Sequence, residues 1–104
     1  MKQGSKLFYL AAAREDILNI ARFHLEKVGP VSARKITEEI ERKILKLVDF
    51  PILGPSHPDE VLASHGYRKL IVSTPYVCIY RAINGCVYIY RIVNGATDYP
   101  KLLY

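Results

Sequence analysis

Apolar and polar residues change their period twice along this chain, and each change marks an element. Lys6 to Leu10 alternates, with Phe8 and Leu10 on one side and Leu7 and Tyr9 on the other, which predicts a short strand. From Ala11 the spacing lengthens. Ala13, Ile17, Ala21, Leu25 and Val28, joined by Leu18 and His24, form a helical stripe that Gly29-Pro30 stops. A second helix is predicted from Val31 to about Asp49, with Ala33, Ile36, Ile40, Ile44, Leu47 and Val48 inward and the i,i+4 pairs Glu38/Arg42 and Glu39/Lys43 outward. The two helices should form an αα-hairpin. Phe50 to Pro58 is rich in Pro and Gly and reads as a loop, and Asp59 to Gly66 shows no clear period beyond a helical turn at Glu60 to Ala63.

The last third returns to a period of two. Tyr67 to Gly95 is filled by β-branched and aromatic residues; Ser73-Thr74-Pro75 separates one strand from the next, and Asn84-Gly85 supplies the φ > 0 pair of a two-residue hairpin turn. The order β-α-α-β-β-β predicts an α+β domain: an N-terminal strand, a helical hairpin, then a three-stranded antiparallel sheet with one face under the hairpin. With that turn, Ile83 faces Cys86, Arg81 faces Tyr88 and Cys78 faces Arg91. One face should then carry Val77, Ile79, Arg81, Ile83, Tyr88, Tyr90 and Ile92. The other should carry Cys78, Tyr80, Val87, Ile89, Arg91 and Val93, with Arg91 either reaching the edge of the core or paired to an acid such as Glu15, Asp16 or Asp98.

This geometry decides the chemistry of the two cysteines, because it places Cys78 and Cys86 on opposite faces as separate thiols. His24, His57 and His65 lack metal-ligand spacing, so no metal and no cofactor is expected, and His24 reads as a packing residue. The 104 residues suffice for one domain burying roughly 65% of its unfolded surface. Half the residues are apolar and 24% charged, which excludes a disordered chain. No apolar run approaches the roughly 20 residues that span a bilayer, and Met1 to Lys6 lacks a signal-peptide core, so a cytoplasmic protein without membrane contact is expected. Fifteen Lys and Arg against ten Asp and Glu give +5, which favours a polyanion or an acidic protein partner.

Three stretches, Gly66-Tyr-Arg-Lys-Leu70, Tyr76-Val-Cys-Ile-Tyr-Arg81 ahead of the Asn-Gly hairpin, and Arg91-Ile-Val-Asn-Gly-Ala-Thr-Asp98, together with the element order, resemble the RelE/ParE superfamily of bacterial type II toxins over nearly the whole chain. The resemblance implies a growth-inhibiting toxin neutralised by a cognate acidic antitoxin in a hetero-oligomer. It also implies one of two mechanisms. RelE-like members resemble ribosome-dependent mRNA endoribonucleases, which need cations on the phosphorane and an acid for the leaving oxygen. ParE-like members resemble inhibitors of DNA gyrase, which act by binding.

Residue by residue the ribonuclease set is thin. Val77 stands where a ribonuclease carries Arg after Tyr76, and Leu70 and Val72 follow Arg68 at the alternate positions; only Arg68, Arg81 and a terminal Tyr99 or Tyr104 remain as catalytic candidates. The ParE-like branch fits Tyr67-Arg68 through Pro75-Tyr76 better, although Asn94-Gly95-Ala96-Thr97-Asp98 keeps the Gly and Asp of the closing motif without its His and Arg pair. The expectation is a gyrase-binding toxin whose target contacts are Arg68, Lys69, Arg81, Tyr88, Tyr90, Asp98 and Lys101. Phe23, Val77 and Ile79 should meet the antitoxin. A ribosome-dependent mRNA endonuclease and a non-toxic antitoxin-binding decoy are the alternatives.

Overall fold

The computed structural model describes residues 4–104; the reading of the N-terminal leader rests partly on residues 1–3, which lie outside the described residues. Strand β1 (Lys6–Tyr9) leads into helices α1 (Ala11–Lys27) and α2 (Pro30–Leu45), the latter tightening into a 3₁₀ turn at Lys46–Val48. Gly29, at φ 140°, takes the backbone through the hairpin, and Pro30 starts α2 at a position whose N–H would be unused. After a loop come the short helix α3 (Glu60–Ser64), the strands β2 (Arg68–Ser73), β3 (Tyr76–Ile83) and β4 (Cys86–Asn94), and a closing 3₁₀ turn at Pro100–Leu103.

The inner line of α2 is as expected, with Ile40, Ile44 and Leu47 fully buried. The inner line of α1 is not. Ala13 and Ile20 are buried and Ile17 packs beside them, whereas Leu18, Leu25 and Val28 are 58%, 52% and 71% exposed. Steps of four drift by about 40° each around a helix, so three of them from Ala13 to Leu25 leave the core side by about 120°. Alternating steps of four and three, through Ala13, Ile17, Ile20 and His24, hold the line. Glu39 does not form its expected helix pair either; among the described residues the ion pair is Arg91–Asp16, and Glu39 instead accepts from Ser73 Oγ at 3.1 Å.

The sheet has four strands in the order β1-β4-β3-β2, because β1 joins it parallel to β4, with Lys6 opposite Cys86 and Phe8 opposite Tyr88. The three antiparallel strands expected from the sequence are thus extended by one. Asn84 (φ 49°) and Gly85 (φ 77°) make the hairpin turn, with Ile83 opposite Cys86 and Arg81 opposite Tyr88. Beyond that the register changes. Ile89 faces Tyr80 and Arg91 faces Ile79, so Tyr90 is an extra residue, a β-bulge, and Cys78 lies opposite Ile92 instead of Arg91. The slip exchanges faces: Ile92 enters the core under the helices and Val93 leaves it for the opposite side.

Asp16 of α1 occupies the irregularity. Its carboxylate accepts from Arg91 Nε at 2.7 Å, from the second guanidinium nitrogen at 2.9 Å and from the Ile92 N–H at 2.9 Å, which raises the Arg91 pKa above its ordinary range. The main core lies between the hairpin and one sheet face, around Val72, Cys78, Tyr80, Val87, Ile89 and Ile92. Tyr80 also ties down the Pro-Gly loop: its hydroxyl donates to the Pro51 carbonyl and accepts the Gly54 N–H, both at 2.9 Å. Both thiols are free; Cys78 is buried, and that burial raises its pKa far above the ordinary thiol range.

Candidate functional site

The sheet face turned away from the helices is half closed. α3 is capped by Asp59, whose carboxylate accepts the Leu62 N–H at 3.1 Å, and it sets Leu62 against the sheet. The C-terminal segment adds Tyr99 and Leu103, and together with Tyr67 they cover Val77, Ile79 and Val93. Val77 and Ile79 are 4% and 0% exposed. They are therefore core residues, and the expectation that they meet an antitoxin on an open face is corrected; Ile92, assigned to the same face, lies in the other core. An Arg at position 77 would have been shut under this cover.

The closing segment is held by polar ties. His57 Nδ1 accepts the Asp59 N–H at 2.9 Å, so the neutral ring carries its proton on Nε2 and donates it to the Tyr99 hydroxyl at 2.6 Å. Burial and the nearby Lys69 ammonium lower the His57 pKa, and burial raises that of Tyr99. Tyr104 donates to Asp59 Oδ2 at 2.8 Å; the Leu62 N–H first, then this hydroxyl, hold the Asp59 carboxyl below its usual range.

The other half of the face is open and aromatic. Arg81 lies across from Tyr88, gives an N–H to the Tyr90 hydroxyl at 3.2 Å, and places its guanidinium carbon 5.5 Å and 5.9 Å from the ring centres of Tyr67 and Tyr90. Those two rings meet edge to face at 5.0 Å. Burial is the main cause that raises the Tyr67 pKa; Arg81 opposes it. Arg81 Nε is enclosed with no hydrogen-bond partner. Beside this cluster Phe8 and Tyr88 stack at 5.5 Å with an interplanar angle of 18°, and Phe8 is 45% exposed.

The side chains named for phosphodiester cleavage do not converge. Arg68 lies opposite Tyr80, on the helix side of the sheet, and donates to the Gly54 carbonyl at 2.9 Å. Arg81 is on the far side. The hydroxyls of Tyr99 and Tyr104 are taken by His57 and Asp59. Among the expected target contacts, Arg81, Tyr88 and Tyr90 are gathered on the open face; Lys69 lies opposite Ile79 at the far edge of the sheet, and Asp98 and Lys101 are exposed on the closing segment. Phe8, Tyr67 and His57 were not singled out from the sequence as site residues. The alternation of Lys6 to Leu10 would have found Phe8 had the first strand been placed beside the last.

Phe23 is 52% exposed on α1, its ring edge to face with His24 at 5.6 Å. Where the hairpin turns, a groove of about 510 Å³ lies between the helices, lined by His24, Val28, Val31 and Ile36 among others. No group of three His, Cys, Asp or Glu side chains among the described residues is arranged to hold a metal ion. No helix of the described residues is long and apolar enough to cross a membrane.

Comparison with known proteins turns this geometry into a family. The family model of the ParE toxin of type II toxin-antitoxin systems, parDE, matches residues 7–99. Among solved structures, one described as the chromosomal ParDE TA system from P. aeruginosa superposes with a TM-score of 0.75 at 23% identity, covering 89% of this chain and 98% of that one. No curated protein matches by sequence. The chain belongs to the ParE toxin family, and its fold is the ParE-like α+β fold.

Proposed function

We propose that this member of the ParE toxin family acts by gripping a protein, DNA gyrase, and stalling it with DNA cleaved, and that a cognate acidic antitoxin neutralises it. One observation carries the choice of binding over hydrolysis. The four side chains that a ribonuclease mechanism would need lie on opposite faces of the sheet or are already bonded within the fold, and half of the face that would serve as a catalytic floor is filled by Leu62, Tyr99 and Leu103. In-line attack at a phosphodiester requires base, cation and acid around one point. A half-open face of Tyr, Phe and Arg suits a protein surface better.

The antitoxin reading is supported by the family and by the description of the P. aeruginosa structure as a ParDE toxin-antitoxin system. The net charge of +5 complements an acidic partner, and Phe23 with the groove at the hairpin turn offers apolar surface for a helix. The test is plasmid cleavage by purified gyrase with ATP, with and without this protein. Accumulation of linear DNA trapped on gyrase is the expected result. Absence of trapped DNA at large molar excess, with cleavage of ribosome-bound mRNA instead, would reverse the choice.

A further inference from the structure

We propose that the stacked pair Phe8 and Tyr88, with the Arg81 guanidinium beside it, is the anchor of the target interface, and that it takes a protein segment presenting a carboxylate next to an apolar side chain. The inference deepens the reading that the chain acts by binding a protein, and rests on it.

The pair is out of place as packing. Aromatic rings that stack across neighbouring strands usually serve a core, yet Phe8 is 45% exposed and Ile83, on the same face, is 36% exposed. β1 is an edge strand, so no strand lies beyond Phe8 to cover the outer side of its ring. The other half of the same face has its cover, in α3 and the closing segment, and they stop short of these residues. What remains is an apolar and aromatic centre with Arg81 and Lys6 at its margin. Tyr, Phe and Arg are the residue types that concentrate affinity at protein interfaces.

Charge decides the occupant. Arg81 has no carboxylate within 4 Å among the described residues, and its planar fork is held in place by Tyr67 and Tyr90 without being neutralised. Lys6 is exposed two residues before Phe8, on the same side of β1. A carboxylate is the complement of a fixed, unpaired guanidinium. Single-stranded nucleic acid also combines negative charge with flat rings, but it asks for a track of cations along the backbone. Among the described residues the open half of this face offers two, Arg81 and Lys6, with Lys69 apart from them at the opposite edge of the sheet. The surface is also separate from the Phe23 side, which lies across the sheet on the helices, so target and antitoxin are given different faces.

The experiment compares wild type with Phe8→Ala/Tyr88→Ala and with Arg81→Gln. Circular dichroism and thermal unfolding establish that each variant is folded. Growth arrest on expression is read first, because it does not depend on which target is correct; affinity for purified gyrase is read second, at low and high salt, with oligo(dT) as a separate probe. The expected result is loss of growth arrest and at least about a tenfold weaker gyrase affinity for the aromatic double variant, and a shallower salt dependence for Arg81→Gln. A folded double variant that arrests growth like wild type overturns the proposal, as does wild-type binding to oligo(dT) that the double variant abolishes. If wild type arrests growth and the double variant does not, while neither binds gyrase, the anchor stands and the choice of gyrase falls. A wild type that does not arrest growth overturns both.

Discussion

Replacing Asp16 by alanine should cost about as much stability as truncating a buried apolar side chain, because one carboxylate serves three donors from a strand 75 residues away. The Asp16 and Arg91 side chains are 12% and 27% exposed, so the guanidinium left behind recovers only part of its hydration, and the Ile92 N–H loses its acceptor at the bulge. A charge-assisted pair of this exposure and one backbone hydrogen bond together come to about 3 kcal/mol. For a domain of this size that lowers the melting temperature by roughly 12 to 24 °C.

The assay is urea unfolding at pH 7, followed by a double-mutant cycle with Arg91→Met. The single change should shift the midpoint without changing the denaturant slope. Arg91→Met in the Asp16→Ala background should be milder than in wild type, giving a coupling of about 1.5 to 2 kcal/mol. Asp16→Asn keeps an acceptor for Ile92 and should fall between. A loss below about 1 kcal/mol for Asp16→Ala, or a coupling near zero, would refute the claim that this carboxylate fixes the bulge.

Three further outcomes are expected. Ile79→Ala should destabilise by about 3 kcal/mol, since the side chain is fully buried, and a variant that keeps its melting temperature but loses antitoxin affinity would return Ile79 to the surface. His57 is held neutral with its pKa below the ordinary value of 6.5; the unfolded chain therefore takes up the proton first, and the stability His57 contributes is complete above about pH 6.5 and lost as the pH falls towards its folded pKa. Melting curves from pH 7.5 down to about 5 should fall less steeply for His57→Gln than for wild type, and parallel curves would contradict the assignment. In thiol titration of the native protein Cys86 should react and Cys78 should not until denaturant is added, because Cys78 is fully buried with its thiol pKa raised; rapid reaction of both would deny that burial.

Local rules made most of this fold legible, and long-range ones account for what was missed. Asn84-Gly85, Gly29-Pro30 and the apolar spacing of α2 act through near neighbours, so their elements could be placed from the sequence, as could the Arg91–Asp16 pair among three candidates. The bulge at Tyr90 leaves no such trace. Cys86 to Val93 alternates or not according to where one extra residue is absorbed, and Asp16, which stabilises that choice, lies on another element. The same holds for β1. Its four residues carry the period of a strand, but their partner follows 80 positions later, beside Cys86 to Ile89. Without that pairing Phe8 and Tyr88 could not be seen as neighbours, and the site read from the sequence held Arg81, Tyr88 and Tyr90 with Arg68, Lys69, Asp98 and Lys101 but not Phe8.

The bulge also bears on what the scaffold can do. An uninterrupted β4 would have kept Tyr88, Tyr90 and Ile92 on the far face and turned Val93 inward, leaving one long open surface beside Val77 and Ile79. With Tyr90 absorbed, Val93 joins Val77 and Ile79 on that face at its far end, and these three make an apolar floor that water would meet unless it is covered. Tyr99 and Leu103 follow within ten residues of Val93 and supply the cover, with His57 and Asp59 fixing it in place. A face closed in this way has lost the room that a phosphodiester and three catalytic groups require, while its other half, from Arg81 to Phe8, stays open. On the function proposed above, binding without hydrolysis would follow from where one residue of β4 is accommodated. Deleting Tyr90 would close the bulge while leaving Val93 opposite Val77 and Ile92 opposite Cys78, so it should keep the covered floor and lose the Asp16 contacts.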